Sequence, residues 1–295
     1  MLIQNVYSLA QLEEQFGPVV ESNGRITRSA NDVVGDFYRD VLAETTEMVA
    51  HQWEAGIKRS AIKGFFLGGP PGVGKTTLAR RVALELCRRF DPDAAELGSS
   101  PENARVLLVL IDGGEIARSR YGESEERIRE IFNRAQKGFT QPDQRSIILF
   151  DDVESVLMAR GSSNAKEWHF SQDSVFFHSV DNLDTSRTAL FLTSNRPDLV
   201  DEAILDRFLA YSFGAPDRDL LVEVAVRSAE QQQFSPAQVA ALVERIRRAS
   251  AEGQLMSIRE AERLVVRQYV ENIIGRETHA LIGADRRPHG WGTEE

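Results

Sequence analysis

Cysteine is nearly absent from this chain. Cys87 stands alone among 295 residues, which excludes an internal disulfide and a multi-cysteine metal site. Lysine is scarce as well, at positions 58, 63, 75, 137 and 166 only, so arginine carries most of the positive charge. The balance is acidic, with a net charge of −10 and a pI of about 5.2. Such a surface repels phosphate backbones and gives no electrostatic footprint for nucleic acid. Apolar runs are short, and none approaches the roughly 18 residues of a membrane-spanning helix. Met1 to Ala10 lacks the charged, apolar and cleavable regions of a secretory leader. The expectation is a cytoplasmic protein without a membrane partner. The histidines at 51, 169, 178, 279 and 289 form no HExxH or other close pair, so no zinc is expected.

What the chain does have is a 42% hydrophobic content, enough for one large core and a smaller one. Phe65-Phe66-Leu67, Val106 to Ile111, Ile147 to Phe150 and Ala189 to Thr193 are continuous apolar runs separated by helical spacing. Buried parallel strands read this way. Tyr211-Ser212-Phe213 is a weaker fifth run. Alternation of strand and helix predicts a doubly wound α/β sheet. Beyond Pro216 no strand candidate remains. Ser235-Pro236-Ala237-Gln238 and Ser257-Ile258-Arg259-Glu260 are capping boxes, the second opening a helix that runs to about Ile274. The first 30 residues are polar and ambiguous, and 283–295 carry glycine, proline and charge without period. Cys87 shares a helical stripe with Ala79, Val82, Ala83 and Leu86, which predicts a buried structural thiol.

Gly69-Pro70-Pro71-Gly72-Val73-Gly74-Lys75-Thr76 fits GxxxxGK[ST], with a strand before it and a helical stripe after it. Glycines there let the segment Pro71 to Thr77 wrap a phosphate with its backbone N–H groups from Gly72 onward, while the helix beginning near Lys75 points its positive end at the same anion. Lys75 then reaches the β- and γ-phosphates of ATP or ADP, and the Thr76 hydroxyl ligates Mg²⁺. The run Ile147 to Phe150 ends in Asp151-Asp152. In P-loop ATPases this position holds a Mg²⁺ partner, expected to be Asp151, and an orienter of the attacking water, expected to be Asp152.

The next run ends in Thr193-Ser194-Asn195, followed at a distance by Asp206-Arg207-Phe208. Together with the glycine loop, Asp151-Asp152-Val153-Glu154-Ser155-Val156 and Ser257-Ile258-Arg259, these residues resemble the AAA+ ATPases. Within them the chain is similar to the pachytene-checkpoint/thyroid-receptor-interactor family of HORMA-domain remodellers, over roughly residues 30 to 275. A single arginine at 207 and the presence of Arg259 favour that branch over the katanin and membrane-fusion branch. The resemblance implies a five-stranded parallel sheet in a large domain over 31–215, a helical lid over 216–282, a segment 1–30 and a flexible tail 283–295. It makes Asn195 the sensor-1 residue, Arg259 the sensor-2 residue and Val34-Gly35 part of the adenine site. Arg207 would reach the ATP of a neighbouring subunit, where a cation supplied in trans neutralises transition-state charge. The plain alternative for Arg207 is a pair with a carboxylate of its own chain.

Asp152 departs from the family, which carries glutamate. One methylene shorter, its carboxylate sits roughly 1.5 Å further from the same water, a displacement that can cost on the order of 10²-fold in rate. The family also implies a homo-hexamer whose Arg120-Tyr121 loop lines a central pore and grips a client chain, the alternative being a surface tyrosine. Gly161 to Trp168 would form a second pore loop, with Trp168 equally compatible with the core. Some 30 residues before the core leave no room for the adaptor domain of eukaryotic members, so the chain looks like the compact bacterial form. That form is associated with HORMA proteins and nucleotidyltransferases of anti-phage signalling. The expected function is ATP-driven remodelling of a HORMA-domain client. The runner-up is a slowly hydrolysing, nucleotide-gated switch or scaffold.

Overall fold

In a computed structural model, the structure is described for residues 5–16, 19–20, 26–27, 33–95, 101–117, 122–157, 167–204, 206–253 and 257–274. The expected tail 283–295 lies outside the described residues. The chain divides into two compact units: Met1–Gly17, Asp36–Pro70 and Lys75–Phe213 in the first, and Pro18–Gly35, Pro71–Gly74 and Gly214–Glu295 in the second.

The first unit opens with β1 (Val6–Tyr7) and α1 (Leu9–Phe16). In the second unit, β2 (Val19–Val20) pairs antiparallel with β3 (Ile26–Thr27). The first unit then resumes in chain order with α2 (Asp36–Glu54), β4 (Gly64–Gly68), α3 (Lys75–Phe90), β5 (Val106–Asp112), α4 (Gly113–Ala117) and α5 (Glu123–Lys137). It continues through β6 (Arg145–Asp151), α6 (Glu167–Asp181), β7 (Thr188–Ser194) and β8 (Phe208–Ser212). Its sheet has the order β1-β5-β6-β7-β4-β8. The five strands from β4 onward are mutually parallel, as the apolar runs predict. The sheet is nevertheless six-stranded, because β1 joins β5 antiparallel with Val6 opposite Val109 and Tyr7 opposite Leu108. Two residues carry too little pattern to be read as a strand; pairing with a neighbour defines them.

Buried strands need apolar residues on both faces. All of β4 and β7 are buried, and β5 and β6 are buried over their central residues. The edge strand β8 buries only Phe208 fully, so it begins three residues earlier than its weak apolar run suggests and ends before Phe213. On one face, Phe132, Phe150 and Phe176 from α5, β6 and α6 pack with ring centroids 5.5–6.2 Å apart. A fully buried phenylalanine contributes about 1.5–3 kcal/mol. Cys87 is fully buried on α3, and burial followed by the nearby Asp91 carboxylate pushes its thiol far above its ordinary pKa. Its place is in the core, as the stripe predicts.

The second unit contains α7 (Arg218–Gln231), α8 (Pro236–Ala251) and α9 (Ile258–Ile274). Each begins at a side-chain cap, a device worth about 1 kcal/mol per helix. Asp217 accepts from the Leu220 N–H at 2.8 Å, and Ser235 and Gln238 exchange both bonds of a capping box. Ser257 Oγ accepts from the Glu260 N–H at 3.2 Å and donates to Glu260 Oε2 at 3.2 Å. Leu221, Ala225, Leu242, Ile246, Leu264 and Val265 form the core, small residues letting the helices approach closely. Among the described residues no helix is long and apolar enough to cross a membrane.

Candidate functional site

Strand order decides which loops meet. In chain order β7 follows β6, yet it inserts between β6 and β4, and the carboxyl ends of open parallel sheets are where ligands bind. Gly68 of β4 is level with Ser194 of β7, and the Gly69 N–H donates to Ser194 O at 3.1 Å. Phe150 of β6 is level with Leu192 of β7, so Asp151 and Thr193 occupy the next rung.

At these tips the side chains form a continuous polar chain. Lys75, buried at the start of α3, donates from Nζ to Gly69 O at 2.7 Å, Pro70 O at 2.8 Å and Asn195 Oδ1 at 2.9 Å. These acceptors are neutral, and charged phosphate oxygens form the stronger bond to an ammonium. Asn195 Nδ2 donates onward to Asp152 Oδ1, and the Asn195 N–H donates to Glu154 Oε1 at 3.1 Å. Thr76 Oγ1 donates to Asp151 Oδ1 at 2.7 Å. Thr193 Oγ1 donates to the same Asp151 oxygen and accepts from the Asp152 N–H at 3.3 Å.

Asp152 has φ 53° and ψ 51°, a left-handed conformation that Asp tolerates better than most residues. It turns the chain out of β6 at the point where its carboxylate meets Asn195. Burial first, then the neighbouring Asp151 and Glu154 carboxylates, raise its pKa above the ordinary 3.8, with Lys75 opposing them. A hydroxyl and a carboxylate 2.7 Å apart, at Thr76 and Asp151, are hard oxygen donors that fit Mg²⁺. Among the described residues no three His, Cys, Asp or Glu converge as a metal site, so such an ion would complete its shell with water and phosphate.

In the second unit the loop Pro71–Gly74 approaches the start of α9. Gly72 and Gly74 have φ of +79° and +89°. A Cβ on Gly72 would come within 3.1 Å of Ser257 Cβ and Oγ and 3.2 Å of Arg259 Cβ, and the Arg259 N–H donates to Gly72 O at 3.3 Å. Two separate predicted segments are therefore adjacent, with Arg259 itself exposed. Val34 and Val73 are buried, Gly35 has φ +86°, and Pro71 and Thr77 are exposed.

Arg207 stands apart from that chain of contacts. Its Nε and Nη2 donate to Asp181 at 2.7 and 3.1 Å, its Nη1 donates to Ala203 O at 3.1 Å, and Cζ lies 5.2 Å from the Phe177 ring centre. Within this chain it thus has the carboxylate partner of the plain alternative. Arg120 and Tyr121 lie outside the described residues, as do 158–166. Glu167 and Trp168 open α6 and are helical, which shortens the expected second loop.

The sequence pattern assigns no separate role to Thr193, Glu154 or Asp181, although Thr193 and Glu154 stand in the segments that carry the resemblance. A signal existed for Thr193, since it and Ser194 are hydroxyl residues closing an apolar run, and the structure buries both fully. A groove of about 460 Å³ between α5 and α6, lined by Arg129, Phe132, His178 and neighbours, shares no residue with the chain of contacts at the strand tips.

Lys75 and Thr76 in the first turn of α3, hydrogen-bonded to Asn195 at the end of β7 and to Asp151 at the end of β6, close a GxxxxGK[ST] sequence and carry the signature of a P-loop nucleotide site. Residues 65–213, half of the chain, match the family described as ATPase family associated with various cellular activities (AAA). The chain belongs to that AAA family, and is thereby an ATPase by class. It is 31% identical over 144 residues to a proteasome-associated ATPase of Rhodococcus erythropolis, covering 48% of this chain and 24% of that protein. The corresponding protein of Acidimicrobium ferrooxidans is 32% identical over 146 residues, or 49% of this chain and 24% of its own length. The chain thus spans about a quarter of the length of these relatives. Among solved structures, the FIGL-1 AAA domain in complex with ADP is similar with a TM-score of 0.56 at 19% identity, covering 83% of this chain and 73% of that one. A chain of the E. coli MS115-1 HORMA:CdnC:Trip13 complex is similar with a TM-score of 0.54 at 15% identity, covering 79% and 88%. At these identities the likeness is one of fold.

Proposed function

We propose that this chain hydrolyses ATP in a homo-hexameric ring and uses the turnover to remodel a HORMA-domain client. The carrying observation is the unbroken chain from Lys75 through Asn195 to Asp152. In this reading Lys75 and the backbone N–H groups from Gly72 to Thr77, in the loop that Pro71 enters, hold the phosphates, and Val34 and Gly35 border the adenine. Thr76 and Asp151 hold Mg²⁺, which when bound neutralises phosphate charge. Asp152 orients the attacking water, and Asn195 keeps that carboxylate in line with Lys75. Arg207 serves the neighbouring subunit and Arg259 its own lid. Arg120 and Tyr121 face the pore and grip the client without reading its sequence.

The client assignment rests on the resemblance of the Asp151-to-Val156 and Thr193-to-Asn195 segments to the pachytene-checkpoint/thyroid-receptor-interactor branch. A nucleotidyltransferase accompanying the client, and a role in anti-phage signalling, belong to the same reading. The test is a preformed HORMA complex incubated with protein and ATP and resolved by size-exclusion chromatography. Wild type is expected to dissolve it, and Lys75→Ala to leave it intact. A complex that persists with wild type, while phosphate release is active, overturns the client.

A second reading is a nucleotide-gated switch that hydrolyses slowly. Asp152 favours it, being short for its role and already engaged by Asn195.

A further inference from the structure

The two acids at the end of β6 have different tasks, yet one buried hydroxyl touches both. Thr193 Oγ1 spends its single proton on Asp151 Oδ1 and accepts the Asp152 backbone N–H at 3.3 Å on a lone pair. Asp151 Oδ1 accepts from Thr76 as well. Two hydroxyl donors on one carboxylate oxygen restrict the rotation of the carboxyl plane and leave Oδ2 as its second acceptor. The side chain that does this is itself rigid. Thr193 is fully buried, β-branched and set in a strand hydrogen-bonded on both sides, so its rotamer and position follow from the sheet. Its second bond bears on the left-handed turn at Asp152, since the N–H it holds is the one at that residue's φ 53°.

We propose that Thr193 is a positioning residue that aligns Asp151 for a divalent cation and holds the backbone turn presenting Asp152. This rests on the reading of Thr76 and Asp151 as the cation site. A hydroxyl is required because the role needs a donor and an acceptor on one short side chain. Valine has the shape and neither function, while serine keeps both functions and loses a methyl group.

The experiment measures binding of a fluorescent ATP analogue to the full chain across a Mg²⁺ titration and in EDTA, with Tm recorded alongside. Removing a group that orients a metal ligand typically costs 10–100-fold in metal affinity or activity. Thr193→Val is therefore expected to raise the half-saturating Mg²⁺ concentration roughly ten-fold or more, with affinity in EDTA unchanged. Thr193→Ser is expected to restore the wild-type titration. Thr193→Ala removes the same hydroxyl with less bulk and stands in should the valine variant not fold. A lowered Tm with an unchanged Mg²⁺ titration would reduce Thr193 to a structural residue and overturn the proposal. Asp151→Asn separates the two levels. If it shifts the titration and Thr193→Val does not, only the positioning role fails; if neither shifts it, the cation site fails and the proposal with it.

Discussion

Arg207 and Asp181 meet side-on, the guanidinium presenting Nε and Nη2 to the two carboxylate oxygens at 2.7 and 3.1 Å. The pair joins the end of α6 to the start of β8, and Phe177 lies under the guanidinium. With Nη1 donating to Ala203 O at 3.1 Å as well, three of the five guanidinium N–H groups are used, and Nη1 and Nη2 each keep a second N–H. An arginine tied to its own chain can thus still present donors to a second anion.

The hydrogen bond from Arg207 is the main cause holding the Asp181 carboxyl below its ordinary pKa of 3.8. A depressed folded value means that the pair stabilises the fold above the ordinary value, and that the contribution is lost as pH falls through the depressed one. Asp181→Asn is expected to lower Tm at pH 7 and to converge with wild type well below pH 3.8. With the carboxylate about half exposed, the loss is on the scale of a screened pair, roughly 1 kcal/mol or less. Thermal scans of both proteins from pH 7 downward check this, and an offset constant across the range would contradict it.

Arg207→Ala loses that same small stabilisation and, in the proposed ring, a cation worth on the order of 10³- to 10⁵-fold in turnover. The second effect dominates, so a folded protein that binds ATP and barely hydrolyses it is the expected result. Because the lost group acts on a neighbour, mixing Arg207→Ala with Lys75→Ala should recover turnover at mixed interfaces. Phosphate release from mixtures that never exceeds the better single variant would place Arg207 outside the reaction.

For Asp152 the comparison of interest is Asp152→Glu. If one missing methylene limits water activation, restoring it raises the rate, by up to roughly 10²-fold. If the left-handed turn and the Asn195 contact have adapted to Asp, the longer side chain displaces Asn195 and the rate falls. The proposed reading with a slow step expects the rise; a fall in single-turnover hydrolysis would argue that the site is tuned to the shorter acid. Asp152→Asn, which keeps the shape and removes the charge, is expected to bind ATP and release little phosphate.

Much of this molecule is visible in its sequence because the relevant signals are local. Gly72 and Gly74 are where left-handed φ values are needed. The apolar runs before Lys75 and Asp151 announce buried strands, and Ser235 and Ser257 announce helix starts, since a cap and its partner lie three residues apart. The edge elements were harder. β1 is two residues long and exists through its pairing with β5, while β8 buries only Phe208 fully and so lacks a continuous run.

The sequence by itself determined the phosphate loop, the identity of the acids after β6, the parallel strands and the helical character of the second unit, because spacing and residue chemistry act over a few positions. Tertiary structure decided which of those pieces meet. Lys75 and Asn195 are 120 positions apart, and Thr193 and Asp151 are 42 apart. Both pairs exist because β7 enters the sheet between β4 and β6 rather than at its edge. No local pattern encodes that insertion. It follows from packing helices on both faces of one sheet, and it turns a threonine in an apolar strand into the group that touches both acids.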